Sequence, residues 1–141
     1  MLVTILWRME GSPRVTTNTG FKDVKDTEYY STPIKWAASK GIVSGYSSGK
    51  FGPNDNITRE QLSVILRKYA KYKGKNVSSL ANISLYIDAR KVSSFAKEGV
   101  QWAIAKGIIS GKDNGTKIDP QGSATRAEAA AMIYNYCKKI K

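Results

Sequence analysis

The chain has no histidine, and Cys137 is the single cysteine among its 141 residues. Without histidine, the sequence excludes catalysis by an imidazole base and metal sites with histidine ligands. One cysteine can form neither an internal disulfide nor a zinc cluster, and we expect Cys137 to be a buried, inert thiol. No apolar run is long enough to span a membrane, and residues 1–7 are too short for a secretory signal. We therefore expect no metal, no cofactor and no membrane span.

Acidic residues are also scarce, with 11 Asp and Glu against 23 Lys and Arg, so the formal net charge is +12. This balance predicts an anionic partner: nucleic acid, anionic lipid or an acidic polysaccharide. Part of the excess has a structural explanation, because cations near the carboxyl end of a helix favour its dipole. The cations placed there by the predicted helices are Arg67, Lys68, Lys71, Lys73, Lys138, Lys139 and Lys141.

What the chain does have is an internal repeat. The matching pairs are Asp23 with Asp88, Trp36 with Trp102, and Thr58-Arg59 with Thr125-Arg126. The offset is 66 residues at the tryptophans and 67 at the Thr-Arg pairs. A period of this length, kept over a whole helix–loop–helix unit, predicts an architecture of stacked copies. A core alone does not require a repeated arginine, so the repeat also indicates a function.

Each full copy predicts a short helix followed by a long one. The short helices should cover residues 32–40 and 94–106, and each ends at a glycine. The long helices should begin at Thr58-x-x-Gln61 and Thr125-x-x-Glu128, which both read as capping boxes. Their apolar stripes are Leu62, Ile65, Leu66 and Tyr69 in one copy, and Ala129, Met132, Ile133 and Tyr136 in the other. Brief strands at residues 42–43 and 108–109 are an alternative to turns.

The first eleven residues carry the same helical spacing, at Leu2, Ile5, Leu6 and Met9. The chain is therefore expected to open inside a third copy whose start is missing. We expect a mainly α fold of repeated short helix–loop–long helix units around a three-helix bundle. The expected domains are a truncated tail with its connector at 1–20, a repeat with its connector at 21–84, and a second repeat at 85–141.

These residues resemble the S-layer homology (SLH) family of bacterial surface proteins. The first copy carries Phe21-x-Asp23, Trp36, Gly41-Ile-Val-Ser-Gly45-Tyr46, Gly49-Lys-Phe51-Gly-Pro53-Asn54 and Ile57-Thr58-Arg59-Glu60. The second carries Asp88, Val92-Ser-Ser94, Trp102, Gly107-Ile-Ile-Ser-Gly111, Asp119-Pro120 and Ala124-Thr125-Arg126-Ala127-Glu128. The resemblance implies a pseudo-threefold spindle whose grooves hold an acidic secondary cell-wall polysaccharide. The first copy departs from the family by placing its carboxylate one residue early, at Glu60. Lys112 in place of Tyr46, and Phe95 where many relatives carry Trp, suggest unequal sites.

Within this resemblance, the two arginines are the leading candidates for ligand contact. Arg59 and Arg126 each follow a cap residue, Thr58 or Thr125, at a helix start where free amides and the dipole favour an anion. The alternative is that each arginine ties a loop to its helix.

The other candidates are three residue pairs. Asp23 and Asp88 could bind sugar hydroxyls or arginine, or could accept backbone hydrogen bonds in turns. Trp36 and Trp102 are expected to pack in the core, with sugar stacking as the alternative. Gly45 and Gly111, like Gly49 and Gly115, are expected to supply positive φ angles and to let the backbone approach a ligand.

The predicted function is non-covalent anchoring of a larger surface or S-layer protein by an acidic polysaccharide of the cell wall, so the expected location is the cell surface. The first alternative is a protein–protein interaction or self-assembly module. The second is nucleic-acid binding by charge alone, which the absence of any recognised motif disfavours. We expect no enzyme, because Glu60 and Glu128 have no nucleophile–base pair beside them and Glu128 is expected to be occupied by capping.

Overall fold

The protein is described by a computed structural model that covers residues 2–16, 21–45, 49–53 and 55–140. Tyr46 and Asn54, two marks of the resemblance, lie outside the described residues. Over these ranges the chain is mainly α, which confirms the predicted fold class. The chain divides into two compact units, residues 1–55 and residues 56–141. None of the described helices is both long and apolar enough to cross a membrane.

The first unit contains two helices, α1 (Leu2–Met9) and α2 (Ser31–Ser39). The two helices pack against each other. The core of this unit consists of Val3, Leu6, Tyr30, Ile34, Trp36, Ala37, Ile42 and Val43. The stripe predicted for α1 is wrong at two positions, because Ile5 is 43% and Met9 42% exposed while Val3 is buried. The face that α1 buries is set by its packing on α2, which the spacing within α1 cannot show.

The second unit contains three helices: α3 (Arg59–Tyr72), α4 (Lys97–Ala105) and α5 (Arg126–Lys139). Two 3₁₀ turns, Ala89–Lys91 and Ser94–Ala96, precede α4. Leu62, Leu66 and Tyr69 are buried, as the stripe of α3 predicts, and Met132 and Tyr136 are buried on α5. The rings of Tyr69 and Tyr136 lie 5.5 Å apart between centroids.

Cys137 is exposed, so the prediction of a buried thiol is wrong. It follows the buried Tyr136 by one position, and one residue turns an α-helix by about 100°. The turn places the thiol away from the packed face of α5.

The segments after the short helices are irregular, and the brief strands considered there do not form. The amides of Ile42 and Val43 both donate to Ala37 O, and those of Ile108 and Ile109 both donate to Ala103 O. Because the helix ends take these donors, none is left for a neighbouring strand. Over the described residues the structure has two isolated β-bridges, Thr58 with Ser123 and Lys112 with Lys117, and no strand.

The second unit crosses the boundary between the sequence repeats. The long helix of the first full repeat, α3, packs on α4, the short helix of the next. Their contact is close at Gly99, where an added Cβ would lie 3.0 Å from Val64 Cγ2 and 3.1 Å from Val64 Cα. The domain bounds at 20 and 84, and the three-helix bundle and spindle that the resemblance implies, stay predictions.

Replacing Gly99 with valine should lower the free energy of unfolding by about 1–3 kcal/mol, because overpacking against Val64 outweighs the better helix propensity of valine. Urea denaturation of the whole chain measures the change. Ala105→Val, at an exposed position of the same helix, is the matched control and should have a small effect. Adding Val64→Ala to Gly99→Val should recover part of the loss. Equal stabilities for the Gly99 and Ala105 variants would contradict the close approach of α3 and α4.

Candidate ligand-binding site

The starts of α3 and α5 are capped by the predicted threonines. Thr58 Oγ1 accepts a hydrogen bond from the Gln61 amide at 3.2 Å, and Gln61 Oε1 accepts one from the Thr58 amide at 2.9 Å. The capping box of the first copy is therefore confirmed. At α5, Thr125 Oγ1 accepts from the Glu128 amide at 3.0 Å, but the backbone amide of Thr125 does not donate to the Glu128 carboxylate, so the reciprocal half of the box is absent. The prediction that Glu128 is occupied by capping is wrong.

The carboxylate of Glu128 instead binds Arg59, the first residue of α3. Arg59 is 5% exposed, and its Nη1 donates to Glu128 Oε2 at 2.9 Å. Its Nε donates to Ile118 O at 2.9 Å and its Nη2 to Ser110 O at 3.2 Å. Every nitrogen of the guanidinium thus has a partner in the second copy. Arg59 links α3 to the loop that contains Ser110 and Ile118. The prediction that it is open to a ligand is therefore wrong.

A second ion pair lies beside the pair of Arg59 and Glu128. Lys112 Nζ is 2.8 Å from Asp119 Oδ2 and 3.6 Å from Glu128 Oε2. Asp119 has a φ of +53°, whereas its counterpart in the first copy is Gly52, with a φ of +74°. Aspartate tolerates the left-handed region better than most side chains, and it has several-fold enrichment there. The exchange of Lys112 for Tyr46 was visible in the sequence, but its partner Asp119 was not.

These contacts shift three pKa values. Burial raises the pKa of Glu128, but the hydrogen bond from Arg59 and the charges of Lys112 and Arg59 outweigh it, so the net pKa is lowered. The hydrogen bond from Lys112 lowers the pKa of Asp119 despite its burial, and the same bond raises the pKa of Lys112. The cluster therefore keeps its charges at neutral pH.

Both repeated aspartates hold the following loop by its backbone. Asp23 accepts hydrogen bonds from the amides of Phe51 and Gly52, each at 2.8 Å. Asp88 accepts bonds of the same length from Ile118 and Asp119. Burial raises the pKa of Asp23, but the two amide donors lower this pKa by more than burial raises it, so the net shift is downward. Each carboxylate therefore accepts backbone bonds, as the alternative predicts, but from a loop 28 to 31 residues away and not from its own turn.

The candidate tryptophans and glycines also have structural roles. Trp36 is 2% and Trp102 0% exposed, so neither ring has a face on which a sugar could stack. Gly45 has the predicted positive φ, +74°, and a Cβ there would lie 2.9 Å from Lys50 O. Gly111 does not have a positive φ, which corrects the prediction. A Cβ at Gly111 would lie 2.8 Å from Gly115 Cα, so glycine is needed there for close backbone approach.

Arg126 differs from Arg59 although it occupies the same helix position. It is the first residue of α5 and is exposed, as is the cap residue Thr125 beside it. Its guanidinium makes no hydrogen bond or ion pair with any residue in the described ranges. Among the predicted site residues, Arg126 and Thr125 therefore lie together at an accessible helix start.

Glu60 is a structural residue whose role the sequence did not reveal. It is 4% exposed, and its carboxylate accepts hydrogen bonds from the amide and hydroxyl of Ser93, at 2.9 and 2.7 Å. The early carboxylate of the first copy thus fixes the entry to α4. The one signal available was its displacement from the family pattern.

The two arginines should differ sharply in their effect on stability. Arg59→Ala leaves two carbonyls without their donor and Glu128 with only the Lys112 ammonium at 3.6 Å, and should cost about 3 kcal/mol or more. Arg126→Ala, the matched change at the exposed position, should stay within about 0.5 kcal/mol of the parent chain. Urea denaturation followed by circular dichroism measures both. Similar losses for the two variants would contradict the difference in burial.

The ion cluster should make the protein sensitive to acid. Because the pKa values of Glu128 and Asp119 in the folded state are lowered, their contribution is complete above their ordinary values of 4.5 and 3.8 and is lost as the pH falls through the folded values. The melting temperature should therefore drop from neutral to acidic pH, and Glu128→Gln should reduce that drop. Glu98→Gln, in an exposed pair with Arg67, is the control. An unchanged pH dependence in Glu128→Gln would contradict the assignment.

Comparison with known proteins gives a family for this arrangement. The family model described as the S-layer homology domain matches residues 20–63 and 86–130. An exoglucanase, XynX, from Acetivibrio thermocellus is 39% identical over 127 residues, which are 86% of this chain and 11% of the relative. A surface-layer 125 kDa protein of Lysinibacillus sphaericus is 32% identical over 115 residues, 80% of the chain and 9% of the relative. A cellulosome-anchoring protein of Acetivibrio thermocellus is 28% identical over 124 residues, which are 88% of this chain and 27% of the relative.

A solved structure with a similar fold is the undecaheme cytochrome from the S-layer of Carboxydothermus ferrireducens. The TM-score is 0.50 at 24% identity, over 96% of this chain and 20% of the other. The chain spans a small part of the length of each of these relatives. The relatives support the cell-surface or S-layer location predicted from the sequence. Since the family model matches most of the chain in two copies, the chain belongs to the S-layer homology domain family.

Proposed function

We propose that this chain is a cell-wall anchoring module that binds an acidic polysaccharide of the wall and tethers a larger surface protein. The observation that carries the proposal is Arg126, an exposed arginine at a helix start with no partner among the described residues. The relatives whose names describe a surface layer and cellulosome anchoring support the same role.

Arg59 provides an internal template for what an arginine binds at this helix position. Its guanidinium takes one carboxylate and two carbonyl oxygens. Arginine presents its donors in a planar fork, which suits a carboxylate better than a point charge does. A polymer that bears acidic sugars would offer Arg126 a carboxylate together with hydroxyl and ring oxygens. Arg126 would then bind from outside the chain what Arg59 binds within it.

The surroundings of Arg126 also favour an anion. It lies at the amino end of the 14-residue helix α5, where the helix dipole is positive. The net charge of +12 attracts a polyanion from a distance and raises its rate of association. Exposed contacts of this kind are individually weak, so firm attachment would depend on several along one polymer.

A second candidate function has its own supporting observation. The pair between Arg59 and Glu128 joins one repeat to the next, over 69 residues of sequence. An SLH unit of another protein or another copy could present an equivalent glutamate to Arg126. The same guanidinium would then mediate self-assembly in place of glycan binding.

Sedimentation with purified cell-wall sacculi tests the proposal. Arg126→Ala should weaken retention at least tenfold, and Arg126→Lys should weaken it less, because lysine keeps the charge and loses the fork. Arg14→Ala removes one exposed cation from the first unit and should bind like the parent chain. Sacculi stripped of their polysaccharide should retain little of any variant.

Three outcomes would overturn the proposal. Equal retention on stripped sacculi would exclude the polysaccharide as the partner. Equal losses in Arg126→Ala and Arg14→Ala would assign binding to bulk charge, which also predicts steep salt dependence. A concentration-dependent mass in light scattering without glycan, abolished by Arg126→Ala, would favour self-assembly.

A further inference from the structure

A cleft of about 390 Å³ lies in the second copy. Asp88 and Lys91 line one side, and the opposite side is formed by residues of the 117–122 segment. This volume falls within the range of about 300–1,000 Å³ that is usual for small-ligand sites.

The walls of the cleft are fixed by hydrogen bonds to the rest of the second unit. The side-chain amide of Gln121 donates to Lys91 O at 3.2 Å and thus joins the two sides. The first two amides of α3 hold the segment from behind, since Arg59 N donates to Gly122 O at 3.0 Å and Glu60 N to Pro120 O at 2.9 Å. Because the shape is fixed before binding, a ligand would lose little free energy in ordering it.

The charge left unpaired at the rim is positive. The two carboxylates of the lining are already engaged, Asp88 by two backbone amides and Asp119 by Lys112 at 2.8 Å. The ammonium of Lys91 has no ion pair with any described residue. Lys117 lies 3.4 Å from an exposed carboxylate, that of Asp113, and water screens such a pair strongly.

The first copy differs in charge at two of the corresponding positions. Counted from the shared aspartate, Lys91 corresponds to Asp26, whose carboxylate pairs with Lys35 at 2.6 Å. Counted from the shared proline, Gly122 corresponds to Asp55. Lys117 corresponds to Lys50 by the same count, so that cation is present in both copies. The two copies differ at the other two positions, where the first has aspartates and the second has Lys91 and Gly122, and the pair of lysines is found in the second copy.

We propose that this cleft is a binding site for a carboxylate-bearing sugar, specific to the second copy. Lys91 and Lys117 bind the carboxylate, and Gln121 and the fixed loop position the hydroxyl groups. The site rests on the proposed glycan-binding function and adds to it a second contact besides Arg126. It also makes the two repeats unequal in ligand, with acidic sugars taken by the second.

The probe pair is methyl β-D-glucuronide and methyl β-D-glucoside, which differ in the carboxylate. In ¹H–¹⁵N spectra of the whole chain, the glucuronide should shift the amides of Lys117, Gln121 and Gly122, and the glucoside should not. Lys91→Glu should raise the dissociation constant of the glucuronide at least tenfold. Lys68→Glu makes the same charge change on an exposed face of α3 and should alter it less than twofold.

Three results would overturn the cleft as a binding site. They are equal shifts with both sugars, shifts that occur only outside the 117–122 segment, and equal glucuronide affinities in Lys91→Glu and Lys68→Glu. Sacculus binding separates this failure from that of the proposed function. Loss in Arg126→Ala with full binding in Lys91→Glu would overturn the cleft and leave the anchoring role standing. Full binding in both variants would overturn the anchoring role as well.

Discussion

The second unit depends on one buried guanidinium. Arg59 lies at the start of α3 and all three of its nitrogens are bonded to residues that are 51 to 69 positions away in sequence. An unpaired charge at this depth would be costly, so the chain must bring Ser110, Ile118 and Glu128 to it whenever it folds. This requirement fixes the loop between α4 and α5 and the first turn of α5 together. The pair of Lys112 and Asp119, the left-handed backbone at Asp119 and the cleft beside it all lie on the loop that Arg59 holds.

The repeat places two chemically identical side chains at one helix position and gives them opposite environments. Arg59 finds its acceptors in the repeat that follows it along the chain, whereas the guanidinium of Arg126 has no hydrogen-bond or ion-pair partner among the described residues. Helix position therefore determines where the guanidinium lies, and a neighbouring loop determines whether it is occupied. An arginine that is buried and bonded in one copy is thus exposed in the next without any change of residue.

The sequence predicted what local interactions decide. The helix starts at Thr58 and Thr125 follow from bonds that a short segment defines, whereas the aspartates accept from amides 28 to 31 residues away. The donor that the Glu128 carboxylate takes could not be predicted in this way, because the Thr125 amide and the Arg59 guanidinium compete for it. An exposed Thr125 amide can be satisfied by water, while the buried guanidinium of Arg59 cannot, so the distant partner wins over the local box. The buried face of α1 and the close contact at Gly111 likewise depend on packing partners that spacing does not reveal.

The two aspartate clamps explain how the repeats could diverge. Asp23 and Asp88 hold the backbone of their loops through two amides each, and amides are present whatever side chains the loop carries. The second copy can thus carry Asp119 where the first has Gly52, and Lys91 where the first has Asp26, while the backbone turn is kept. Since backbone bonds maintain the turn, the side chains of the turn are not needed to hold it and can differ between copies. The physical consequence is a scaffold in which copies of one fold can present different charges at corresponding positions.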